Sequence, residues 1–289
     1  MTGDPAAAGP GGDTLPRSSR LDPDHLVARI AEITGVRLTV EGRCPGGEVG
    51  AAYVRWPDGR RSVLSEGNSR VSPLLDRARA AGVPTAKQEL TAHIDGRRVL
   101  VQQRLPGVPP ATIEAPLVHQ MLAVNARLAG LLSRAPSAPR PMELHLSDDG
   151  PGFCLHKPLL KYGGRAARLL DWVHEVAAEL PHITGDDLVH FDYHPRNVLV
   201  ESGRITGVID WDGAARYDGT FDLVTLRFTL GHEAPHLTAI VDDALRGRDE
   251  ARRRAFWAHM SLRQVDWSIR HHDQATVEAW LDVAEPGIH

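Results

Sequence analysis

Lysine is nearly missing from this 289-residue chain: Lys87, Lys157 and Lys161 stand against 30 arginines. Any role that demands a lysine therefore has three candidates. Cysteine is as scarce. Cys44 and Cys154 lie far apart in the sequence, which excludes a zinc site built on cysteine alone and a disulfide framework, and reads as two packed or idle thiols in a reducing compartment. No stretch approaches 18 uninterrupted apolar residues, so no membrane-spanning helix is expected. The first two dozen residues are rich in Gly, Pro, Ala and Ser and lack an apolar segment. They read as a disordered tail, assigned to residues 1–21, and not as a signal peptide. A basic patch of the kind nucleic-acid binders carry is missing as well. The net charge is −4, with the excess of acid lying after residue 100, so a small cationic partner fits better than nucleic acid. A cytoplasmic protein, monomeric or homodimeric, is expected.

What is present is an ordinary globular composition, 42% hydrophobic and 24% charged. Apolar residues at helical spacing predict a short helix over 22–34, with Asp22 as its cap before Pro23. Strand-like runs follow at 37–42, 50–56, 62–65, 88–94 and 98–103, with a helix at 71–81 between them. The Pro/Gly-rich stretch after Leu105 marks a boundary. Beyond it, helices are expected at 116–132, at 166–180 and from Asp222 onward, interrupted by a hairpin around 198–209. The fold class is thus α+β: a small antiparallel β lobe, residues 22–105, and a larger, mainly helical lobe, residues 106–289.

The chemistry concentrates in His190-Phe191-Asp192-Tyr193-His194-Pro195-Arg196-Asn197 and in Ile209-Asp210-Trp211. The hairpin between them brings the start of its first strand beside the end of its second. Asn197 and Asp210 therefore meet at its open end, and Asp192 lies on the loop entering that end. Two carboxylates and an amide are hard oxygen donors of the kind Mg²⁺ accepts beside phosphate oxygens. Transfer of a phosphoryl group needs such metal ligands and a carboxylate that positions the acceptor hydroxyl.

These segments resemble the aminoglycoside phosphotransferase family, the small-molecule branch of the kinase-like fold. That family shows His-Gly-Asp-x-His-Pro-x-Asn, then Ile-Asp-Trp, then Asp-Leu, and this chain departs only at the glycine, where it has Phe191. The likeness is strongest over residues 186–226 and extends by lobe order over about 25–285. It implies Asp192 as the catalytic carboxylate, His190 bracing its loop, Asn197 and Asp210 holding Mg²⁺, and Asp222 anchoring the loop at a helix start. It implies ATP or GTP as co-substrate, with Gly46 and Gly47 near the phosphates and Gln102, Gln103 and Arg104 along the hinge strand. Arg196 is a candidate phosphate contact. Asp212, Asp218, Asp266 and Trp267 are candidates for the acceptor site, where a cationic, hydroxyl-bearing antibiotic is expected. Metabolic acceptors such as choline, homoserine or a sugar are the alternative, and a nucleotide-binding pseudokinase a further one.

One departure bears on the nucleotide. Kinase-like enzymes carry a lysine on the third strand, and here Ser65 stands at that place. None of the three lysines fits it. Arg55 and Arg61 are the expected substitutes, as forked cations suited to phosphate.

Overall fold

A computed structural model describes residues 22–45, 50–67, 70–135, 138–139, 141–180 and 182–287. The expected tail, with Gly46 and Gly47, lies outside the described residues. Helix α1 (Pro23–Thr34) opens on Asp22, whose carboxylate accepts hydrogen bonds from the Asp24 and His25 amides. It closes on Gly35 in the left-handed conformation, φ 73°. The strands β1 (Thr39–Arg43), β2 (Ala52–Arg55), β3 (Arg61–Glu66), β4 (Gln88–Ile94) and β5 (Arg97–Gln103) form one antiparallel sheet in the order β1-β2-β3-β5-β4. Successive side chains along β3 and β5 point to opposite faces. Val54, Leu64, Val99 and Val101 pack with Leu26 and Ile30 of α1, so Val63, Ser65, Leu100 and Gln102 face the other side.

Helix α2 (Ser72–Ala80) lies between β3 and β4 in sequence, yet Val71, Leu74, Leu75 and Ala78 belong to the core of the second lobe. Its connection is pinned there by backbone, since the Val208 amide donates to the Pro84 carbonyl at 2.7 Å. The second lobe holds α3 (Ala115–Leu128), α4 (His156–Tyr162) and α5 (Gly164–Ala178). Strands β6 (Asp187–Val189), β7 (Val198–Glu201), β8 (Arg204–Val208) and β9 (Ala215–Tyr217) follow. Helices α6 (Thr220–Glu233), α7 (Thr238–Leu245), α8 (Glu250–His271) and α9 (Gln274–Ala284) complete it. The α+β class and the order of a β-rich lobe before a helical one are as expected.

Two departures bear on the site. The pair β6 and β9 runs antiparallel, Leu188 opposite Arg216, and clamps the two ends of the catalytic segment. The Pro/Gly boundary is docked, not loose. Val108 and Val200 exchange backbone hydrogen bonds at 3.2 and 2.8 Å, and Thr206 Oγ1 donates to the Pro106 carbonyl at 2.6 Å. Gly107, φ 91°, permits this approach, because a Cβ there would stand 2.8 Å from the Val200 carbonyl oxygen.

Candidate active site

The hairpin of β7 and β8 pairs Val198 with Val208, and the Ile209 amide donates to the Asn197 carbonyl at 2.9 Å. Asn197 and Asp210 thus sit at neighbouring backbone positions at its open end. Asn197 Nδ2 donates to the Asp192 carbonyl at 2.9 Å and to Asp192 Oδ2 at 3.0 Å. With the amide nitrogen committed to Asp192, the amide oxygen is the atom left to face a cation. That oxygen and the Asp210 carboxylate are hard-oxygen groups of the kind that could hold Mg²⁺ in company with phosphate oxygens.

The loop itself is held from behind. Asp222, fully buried in the first turn of α6, accepts the His190 amide at 2.8 Å and the Phe191 amide at 3.0 Å. Burial pushes its carboxyl up to about 7, against the pull of those two N–H groups. His190 is also fully buried, and burial lowers its imidazole to about 4. Neutral at pH 7, it donates from Nε2 to the Ile209 carbonyl at 2.8 Å and accepts the Asp192 amide on Nδ1 at 3.3 Å. The ring therefore ties the loop of Asp192 to the strand end of Asp210. It has no exposed edge, so it is a positioning residue and not a catalytic one.

Phe191 stands where the family pattern has glycine, and its φ is 68°. That left-handed conformation is strained for a bulky side chain. The ring is buried against Phe221, 4.7 Å between centroids, and Tyr217, 5.6 Å. Packing offsets the strain.

The sequence did not point to Arg263. From α8, 71 residues beyond Asp192, its Nη2 donates to Asp192 Oδ1 at 3.0 Å, and Nη1 donates to the Phe191 carbonyl at 3.2 Å. Burial alone would raise the Asp192 carboxyl. The Arg263 guanidinium, with His194 at 3.3 Å, overrides it and holds the group well below the usual carboxylate range. The group is an anion throughout the physiological range. No local pattern marks Arg263, and only the docking of α8 brings it here.

Other expectations change. Asp218 is buried, pairs with Arg252 and accepts the Thr220 amide at 2.9 Å. Asp266 is fully buried, and Arg270 grips it through Nε at 2.8 Å and Nη2 at 3.0 Å. Both carboxylates are neutralised within the protein, so neither is left to receive a cationic acceptor. Trp267 lies beside the His271 ring, 4.1 Å between centroids. Asp212 reaches the end of β3, since a Cβ placed on Gly67 would stand 3.7 Å from its Oδ1. Arg196 pairs with Glu233 of α6. Arg55 and Arg61 share Glu41, at 3.5 and 3.0 Å, at the β2–β3 turn. Four residues along the strand, or about 13 Å, separate Arg61 from Ser65, so the expected substitution does not occur there. Gln102 lies on the sheet face opposite α1, Gln103 donates its amide to the Lys87 carbonyl at 2.8 Å, and Arg104 stacks over Tyr53 at 4.1 Å.

Residues 53–263 match the model of the phosphotransferase enzyme family. The chain belongs to that family. No curated protein matches this phosphotransferase. Among solved structures it is similar to an aminoglycoside phosphotransferase of the APH(4)-Ia type, a thermostable mutant in ternary complex with ADP and hygromycin B. The identity is 18%, the TM-score 0.69, and the match covers 91% of this chain and 97% of that one. It is also similar to the macrolide 2′-phosphotransferase MphH of Brachybacterium faecium, 19% identical, TM-score 0.54, covering 91% and 98%. An aminoglycoside-3′-phosphotransferase of type VIII is 21% identical, TM-score 0.51, covering 83% and 98%. The fold is the two-lobed, kinase-like fold of these enzymes. No helix among the described residues is long and apolar enough to cross a membrane.

Proposed function

We propose that this phosphotransferase moves the γ-phosphoryl group of a nucleoside triphosphate to a hydroxyl of an antibiotic. One observation carries the proposal: the Asp192 carboxylate, held ionised by Arg263, is bonded directly to Asn197, whose carbonyl accepts the amide of Ile209, the residue before Asp210. The acceptor hydroxyl donates to Asp192 and is aimed at the γ-phosphorus. Its oxygen forms the new P–O bond as the bond to the β–γ bridging oxygen breaks, the nucleoside diphosphate leaves, and the hydroxyl proton passes late to Asp192 and from there to solvent. A carboxylate so strongly acidified orients the hydroxyl better than it keeps a proton. That suits a loose transition state, in which little proton transfer is needed before the P–O bond forms. Asn197 and Asp210 would hold Mg²⁺, which would supply positive charge against the phosphates. Such a reaction belongs in the cytoplasm, where nucleoside triphosphates are.

The complex with ADP and hygromycin B formed by a similar enzyme supports an adenine nucleotide and an antibiotic acceptor. The macrolide enzyme widens the acceptor class beyond aminoglycosides. Neutralisation of Asp218 and Asp266 removes two of the three carboxylates expected to meet a cationic acceptor, and this favours testing sugars and other neutral alcohols as the second reading. The experiment is a turnover panel with ATP or GTP and Mg²⁺ against aminoglycosides, macrolides, choline, homoserine and sugars. Preferred phosphorylation of an antibiotic, with raised resistance in cells expressing the protein, is expected. Faster turnover of a metabolic alcohol would replace the antibiotic reading, and no turnover with any acceptor would leave a nucleotide-binding pseudokinase.

A further inference from the structure

The lysine that kinase-like enzymes place on the third strand has no counterpart at Ser65, and the cation that replaces it can be sought on the same sheet face. Val99 and Val101 pack against α1. By alternation Arg98, Leu100 and Gln102 of β5 therefore share the opposite face with Ser65. Ser65 lies directly across from Leu100, so Arg98 occupies the diagonal position two residues along, within reach of a long side chain. That corner abuts the segment that follows Asp210. The Gly67 amide donates to the Arg98 carbonyl at 3.1 Å. A Cβ on Gly67 would collide with Leu100 and come within 3.7 Å of Asp212 Oδ1, two residues from Asp210.

Arg98 also stands apart in its bonding. Its Nε is buried without a hydrogen-bond partner, and the side chain forms no ion pair with any described residue. Nearby cations are engaged. Arg55 and Arg61 share Glu41, Arg97 pairs with Glu66 at 3.5 Å, and Arg104 covers Tyr53. A buried guanidinium nitrogen without a partner costs free energy unless an anion arrives to meet it.

We propose that Arg98, from the strand beside the third, grips the α- and β-phosphates of the nucleotide in place of the missing lysine. The inference rests on the nucleotide-dependent transfer proposed above. The change of strand is sterically reasonable because arginine is longer than lysine and presents a fork of donors to phosphate oxygens.

The test is calorimetric titration of the full-length protein with Mg²⁺–ADP, Mg²⁺–ATP and adenosine. Arg98→Met keeps the apolar stem and removes the charge. It is expected to weaken ADP and ATP about ten- to a hundredfold, the range for lost charge-assisted hydrogen bonds, and to leave adenosine unchanged. Ser65→Lys placed in the Arg98→Met background is expected to restore most of the loss, while Ser65→Ala alone changes nothing. Should Arg98→Met fail to fold, as read by thermal melting, Arg98→Gln carries the same expectation. Unchanged ADP affinity, or an equal loss for adenosine, overturns the assignment and makes Arg98 a packing residue. A wild-type protein that binds neither ADP nor ATP, nor their guanine counterparts, overturns the nucleotide reading itself, and Arg98's role with it.

Discussion

Phe191 sets two measurable terms against each other. Its φ of 68° places a Cβ in the left-handed region, at a cost of about 1–2 kcal/mol relative to glycine. Its ring is 1% exposed and packs on Phe221 and Tyr217, and truncating such a ring costs about 3–5 kcal/mol. Phe191→Ala loses the ring and keeps the strain, so it takes the whole of that loss. Phe191→Gly loses the ring but escapes the strain, less the extra freedom glycine gains in the unfolded chain, about 0.5–1 kcal/mol. The expected order of stability is Phe above Gly above Ala, with Gly about 2–4 kcal/mol below the wild type. In thermal unfolding, at about 2–4 °C per kcal/mol for a protein of this size class, the glycine variant melts on the order of 10 °C lower. Asp222 holds the loop through backbone amides, which glycine retains, so turnover measured well below the melting point should persist. An alanine variant as stable as the glycine one would refute the strain term. A glycine variant as stable as the wild type would refute the packing term.

Four further outcomes are expected. Asp192→Asn should lose several orders of magnitude in kcat, and Asp210→Ala should abolish turnover with the melting curve intact; near-normal rates in either would remove the assigned roles. Arg263→Gln removes the main cation from Asp192, so its carboxyl should rise toward the ordinary range and the acid limb of kcat/KM should move to higher pH. An unmoved limb would mean that Arg263 does not govern Asp192. His259 is fully buried, donates Nδ1–H to the Leu144 carbonyl at 2.7 Å, and is lowered by burial to about 3. His190 is lowered to about 4. The unfolded chain takes up these protons below about pH 6.5 while the folded one does not. Stability should therefore fall as pH drops from 6.5 toward 3, by up to about 1.4 kcal/mol per pH unit for each ring. His259→Asn keeps the donor and should flatten that slope in pH-dependent denaturant melts, and an unchanged slope would contradict the buried neutral state.

Most of what the sequence determined by itself is local. The chain from His190 to Asn197 and the return to Asp210 are legible because bond-making groups must enter one hairpin end at fixed spacing, and a hairpin's geometry follows from its turn. Helix α1 is legible from Asp22, Pro23 and its apolar period. The five strands of the first sheet are legible from their turns, and the left-handed φ of Phe191 accords with the glycine that the family pattern shows there. What tertiary structure alone decided is pairing across distance. The strands β6 and β9 are three residues each, too short to read before they meet. Arg263 acidifies Asp192 only because α8 docks beside the catalytic loop. Asp218 and Asp266 looked like free carboxylates until Arg252 and Arg270 were found on them. Ser65 announced a missing cation, but the strand order β3-β5 was needed to show which face Arg98 shares with it. Charge in a sequence is a sum, whereas charge in a fold is a set of pairs, and only packing determines which groups remain to meet a ligand.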